Sequence, residues 1–155
     1  MTNNTIRTRR PRTRPMLAAL LMTMVMPAVQ AADARQPILL NEEEQGFVLN
    51  EMRQYVVSLQ QILTALADDD VITVGQAART MGMQAMSNAP PTLMGKLPMA
   101  FRQLGMPTHK AFDEIADAAE SGETTPQILS RLGTVLNNCV ACHASYRLAP
   151  AAQGQ

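Results

Sequence analysis

The chain has 155 residues, with 13 basic and 13 acidic side chains, two cysteines, 3% aromatics and no Trp. So few cysteines exclude a disulfide scaffold, and a balanced charge excludes a strongly basic nucleic-acid binder. An apolar content of 46%, mostly Leu, Ile, Val, Ala and Met, is enough to bury one core and favours packed helices over strands.

Residues 1–31 read as a secretory leader. Arg7, Arg9, Arg10, Arg12 and Arg14 form a basic start free of acids. Met16 to Met26 is apolar, Pro27 breaks the run, and Val29-Gln30-Ala31 offers small residues for cleavage, expected after Ala31. The Arg9-Arg10 pair lacks the remainder of a twin-arginine pattern, so the general secretory route is expected. The apolar run is too short to span a bilayer, so no stable membrane anchor is expected; an uncleaved amphipathic tether is the alternative. Losing five arginines leaves eight basic against 13 acidic residues, a net charge near −5 on about 124 residues. That sign makes nucleic acid and anionic membrane poor partners.

Residues 32–40, with Pro37 among them, read as an extended lead-in. Asn41 followed by Glu42, Glu43 and Glu44 marks the start of a first helix, with a glutamate at the third helical position and acids at the positive end of the dipole. Its apolar stripe is Leu49, Met52, Tyr55, Val56, Leu59, Ile62, Leu63 and Leu66. Asp68-Asp69-Asp70 then reads as a solvated turn, since it lacks the alternating ligands of a calcium loop.

A second helix is expected from Thr73 or Val74 to about Ser87, with Ala77, Ala78, Met81 and Ala85 inward. Its methionines read as core filling. Pro98 opens a short helix through Phe101 and Leu104 that Gly105 ends. Thr108 then caps a third main helix carrying Phe112, Ile115, Ala116 and Ala119, ending near Gly122. In this register His109 stands at a helix start beside Lys110, exposed or partly so. Thr124 or Thr125 with Pro126 starts the fourth, expected to run to about Leu148 with Leu132, Val135, Leu136, Cys139 and His143 inward. Residues 149–155 read as a frayed tail.

Four amphipathic helices over residues 41–148, with short links at either end and a longer one in the middle, describe an all-α fold, an antiparallel four-helix bundle. Near the end of the last helix stands Cys139-Val140-Ala141-Cys142-His143, the attachment pattern of c-type haem. On a helix the two thiols share one face and reach the two vinyl-derived carbons of one porphyrin edge. His143 then aims its imidazole at the iron as proximal ligand. A thiol–disulfide pair would want a βαβ pattern, and structural zinc would want four ligands, for which only His109 could be added. Attachment of c-type haem outside the bacterial cytoplasm agrees with the leader.

Cys139, Cys142 and His143, followed by Tyr146 and Arg147, make the chain resemble cytochrome c prime and its six-coordinate relatives; Phe112 and Ala78-Arg79 fit more loosely. These relatives are exported four-helix bundles with haem attached near the C-terminus of the last helix. The resemblance implies one haem c, a periplasmic location, and a homodimer through the first two helices. In six-coordinate members a first-helix methionine ligates the iron, which here implies Met52 opposite His143. A competing register takes Arg53 as the first-helix arginine, makes Val57 the distal residue and leaves the iron five-coordinate. Arg147 is either a partner for a haem propionate or a solvated helix-end arginine; Tyr146 is expected to pack against the haem edge or a neighbouring helix. The reading is an electron carrier, not an enzyme, with a basic redox protein as partner. The alternative is a five-coordinate protein binding NO or CO.

Overall fold

The computed structural model describes residues 32–151. The leader and the last four residues of the tail lie outside the described residues. What is described is largely helical, with two short strands that the sequence did not announce.

Asn41 starts helix α1 (Glu42–Ala67) as its spelling requires. Its side chain accepts the Glu44 N–H at 2.9 Å, and the Glu44 carboxylate accepts the Asn41 N–H at 2.9 Å. Glu44 does more than cap. It is 0% exposed, and it accepts from Lys96 Nζ at 2.7 Å and Thr92 Oγ1 at 2.6 Å, tying the start of α1 to the middle of the chain. The Lys96 ammonium, with the Thr92 hydroxyl next, holds this carboxyl down at about 2.

The inward face of α1 is rotated from the expected stripe. Tyr55, Ile62 and Leu66 are buried, but Leu49, Val56 and Leu63 are 40, 67 and 51% exposed. Val48, Glu51, Ser58 and Ala65 take the inward positions instead. A small residue serves there because the Ser58 hydroxyl donates to the Ala77 carbonyl at 2.6 Å, drawing the first two helices together.

Helix α2 (Val71–Arg79) starts earlier than expected, because Asp70 accepts from the Thr73 N–H at 3.0 Å and caps it. It also ends earlier, at Arg79 rather than near Ser87. Gly82 turns extended there, and the Asp113 carboxylate accepts the Met83 N–H at 2.9 Å, opening a 3-10 turn over Met83–Asn88. The one-turn helix α3 (Leu93–Lys96) follows.

Helix α4 (Met99–Glu120) is the largest departure. The expected break at Gly105 does not occur; one 22-residue helix runs straight through Gly105 and Pro107. Pro107 forfeits one backbone hydrogen bond. Thr108 does not cap; its hydroxyl donates back to the Leu104 carbonyl at 2.8 Å. Burial overrides the local breakers, since Phe112, Ile115 and Ala116 are each 0% exposed.

Helix α5 (Thr125–Ser145) opens on Thr124, whose N–H donates to the Gln127 side chain at 2.8 Å. It stops at Ser145, three residues short of Leu148, where Tyr146 turns extended. Strand β2 (Tyr146–Pro150) then pairs in parallel with strand β1 (Gln36–Leu40), Gln36 opposite Tyr146 and Leu40 opposite Pro150. Parallel strands need a long crossover, and here the whole helical body supplies it. The expected lead-in and the start of the expected tail are therefore one ribbon.

α1, α2, α4 and α5 share one core that includes Tyr55, Ile62, Ala78, Phe112, Ile128 and Leu132. A second cluster lies under the ribbon, where Ile38 and Leu40 meet Val48, Leu93 and Leu97.

Candidate functional site

A cavity of about 410 Å³ lies among α1, α4 and the end of α5. That is within the roughly 300–1,000 Å³ typical of cofactor and ligand sites. Its wall is overwhelmingly apolar, and Cys139, Cys142, His143 and Met52 all line it. The two thiols come from one face of α5 and the thioether from α1. Val56 and Leu136 also line the cavity while remaining 67 and 43% exposed, so they form its apolar rim. Val57 and Arg53, the competing first-helix pair, are exposed and do not line it.

Cys139 and Cys142 are half-buried and unpaired. Burial pushes both thiols up, and the neighbouring Cys139 adds to the effect at Cys142. Thiol–disulfide enzymes need the reverse, a depressed thiol at a helix N-terminus or beside a cation. His143 lines the cavity but is exposed, so the inward position expected for it is corrected to the mouth. The ribbon reaches the same place: the Arg35 guanidinium donates to the His143 carbonyl at 3.4 Å.

The floor is polar. His109 is 6% exposed, not at an exposed helix start, because α4 begins ten residues earlier and carries it inward. The Tyr55 hydroxyl lies 2.9 Å from its Nδ1 and 3.0 Å from its Nε2, and the Met81 carbonyl lies 2.9 Å from Nδ1. A carbonyl only accepts, so Nδ1 carries the proton toward Met81, leaving Nε2 to accept from Tyr55. Glu51, 9% exposed, lies 3.9 Å from Nε2, and its Oε2 has no hydrogen-bond partner. Burial raises the Glu51 carboxyl, with His109 pulling the other way. Burial, then Glu51 and Cys139, raises the Tyr55 phenol.

Sequence reasoning missed Glu51, although it falls three after Val48 and four before Tyr55 on the inward row. It also missed Arg102, which lines the cavity with a buried Nε that has no partner. Tyr146 and Arg147 sit on β2 and do not line the cavity. Tyr146 meets Phe101 of α4 edge-on, with ring centroids 5.4 Å apart. Arg147 lies 3.8 Å from Asp33.

Among the described residues, no helix is long and apolar enough to cross a membrane, and no cluster of three or more His, Cys, Asp or Glu is placed to hold a metal ion. No family model matches the chain, and neither the curated proteins nor the solved structures searched contain a significant match.

Proposed function

We propose that the protein is an exported c-type cytochrome of the cytochrome c prime type, an antiparallel four-helix bundle that carries single electrons in the periplasm. The observation that carries this reading is that the only two cysteines, His143 and Met52 line one apolar cavity. The donor set suits a covalent porphyrin: two thiols three residues apart, an imidazole directly after them, and a thioether from another helix.

In this reading Cys139 and Cys142 would hold haem c through thioether bonds, and His143 and Met52 would be the ligands to its iron. The bound haem supplies one-electron chemistry between Fe(II) and Fe(III). The chain's own part is to exclude water with apolar walls and to hold both ligands on helices. A methionine opposite histidine raises the potential relative to a harder ligand. Tyr146 steadies this end through Phe101. The exposed row Leu49, Val56 and Leu63 on α1 supports the homodimer that the resemblance implies. The net negative charge after cleavage supports a basic redox partner and no nucleic acid. The protein then relays electrons rather than acting as an enzyme.

A second reading, a five-coordinate protein binding NO or CO, is favoured by one observation. Glu51, Tyr55 and His109 put hydrogen-bonding groups into the cavity beside Met52, and such groups steady a ligand held at an open iron face. The deciding experiment is the visible spectrum of the exported holoprotein, oxidised and reduced, with and without CO. Sharp low-spin bands that CO leaves unchanged, together with a far-red thioether band lost in Met52→Ala, are the expected result. A high-spin spectrum that shifts readily with CO selects the second reading. Absence of covalent haem by mass ends both.

A further inference from the structure

Arg102 is a charged side chain without a visible job. It is half-buried on the first turn of α4, lines the cavity, and makes no ion pair among the described residues. Other cations do: Lys96 pairs with Glu44, Arg79 with Asp117 and Glu120, and Arg131 with Glu123. Its Nε is buried and donates to nothing, and a donor left without an acceptor costs the desolvation of that group. The surroundings repeat the message. The start of α4 has no side-chain cap and no acid in its first turn, so its free N–H groups and positive dipole end also lack an anion.

Resting on the haem reading above, we infer that Arg102 is the anchor for a haem propionate at the cavity edge. Propionates stand on the porphyrin edge opposite the vinyl-derived carbons. Cys139 and Cys142 therefore fix one edge to α5, and Arg102 fixes the other toward the start of α4. A planar guanidinium suits a carboxylate because it can offer two parallel N–H bonds. This assigns to α4 a task that was one of two readings of Arg147; the Arg147 Nε also lacks a hydrogen-bond partner, but Arg147 lies off the cavity, 3.8 Å from Asp33. On α1 the residue one turn before Met52 is Val48, so no arginine stands there to take that role. Arg102 is thus a positioning residue that also sets charge near the iron.

The test is the reduction potential of the matured, full-length holoprotein by spectroelectrochemistry. Arg102→Gln removes a positive charge and should shift the redox equilibrium toward ferric by roughly tenfold, which is about 59 mV for one electron. Arg102→Lys keeps the charge and should stay within about threefold of wild type, while Arg147→Gln should leave the potential in place. An unchanged potential in Arg102→Gln, or an equal shift in Arg147→Gln, overturns the assignment. If Arg102→Gln does not accumulate, Arg102→Lys decides: a tenfold shift with the charge retained rules out the electrostatic anchor. A wild-type chain without covalent haem would instead defeat the haem reading itself, which mass spectrometry reads separately.

Discussion

Replacing Tyr55 with Phe removes one oxygen from the cavity floor and leaves the ring in place. The ring contacts Phe112 at a centroid distance of 5.2 Å, so the apolar packing is retained. The lost hydroxyl is the donor to His109 Nε2 at 3.0 Å, in a site where the two residues are 9 and 6% exposed. Glu51 cannot replace it, because 3.9 Å is too long for a hydrogen bond. The variant therefore loses one hydrogen bond and leaves an acceptor stranded, a cost of about 1–3 kcal/mol. With a urea m-value of about 1–3 kcal/mol/M, the unfolding midpoint should fall by roughly 0.3–3 M, about 1 M for central values. A double-mutant cycle with His109→Leu should return a coupling of about 1 kcal/mol. A midpoint within 0.2 M of wild type (roughly the resolution of such a shift) together with zero coupling would refute the hydrogen-bonded floor.

Phe112→Ala, at a site 0% exposed between α1 and α5, should cost about 3–5 kcal/mol in urea melts; a loss below about 1 kcal/mol would contradict its central place. Gly82→Ala drives a methyl into the Asp113 carboxylate that accepts the Met83 N–H, and should destabilise by about 1–3 kcal/mol; an unchanged melting temperature would show that the junction yields freely. Glu44 gives a pH window. Its folded value of about 2 lies below the ordinary 4.5, so its stabilisation is complete above 4.5 and is lost as pH falls toward 2. Acid unfolding curves of wild type and Glu44→Gln should therefore converge over that interval, and parallel curves would remove Glu44 from the account.

Local chemistry was legible wherever the cause was local. Asn41 with Glu44 announced the start of α1, and Cys139, Cys142 and His143, grouped by their spacing, do line one cavity. The start and end of α2 moved because Asp70 and Asp113 cap the backbone through side chains, contacts that periodicity does not encode. Gly105 read as a break, with Thr108 as a new cap, yet the apolar row from Phe101 to Phe112 was worth more buried on one continuous helix. That single misreading displaced His109 from the interior to the surface. Glu51 was hidden by its charge, since an acid on an inward row contradicts the pattern used to find inward rows. Arg102 was hidden because its meaning lies in what it does not touch.

The ribbon joins Gln36 to Tyr146, residues 110 positions apart. By ring-closure entropy this is cheaper than it looks. Going from a 14-residue loop to one eight times longer adds three doublings, about 1.8 kcal/mol. By folding order it is demanding, because pairing at this separation must wait for the far end of the chain, whereas each helix forms from neighbours. The first strand to leave a ribosome or a translocon finds its mate only when the last residues follow. Because the pairing is parallel, the two ends of the domain lie at opposite ends of the ribbon: the Ala151 N–H donates to the Leu40 carbonyl at 2.9 Å, whereas Asp33 lies beside Arg147, 3.8 Å away. A permutant that opens the turn at residues 121–124 should keep the same core and cavity if residue 151 is joined to residue 33 by a Gly/Ser linker long enough to run back along the ribbon, more than roughly 17 Å for its five residues; a linker too short for that span should cost the ribbon.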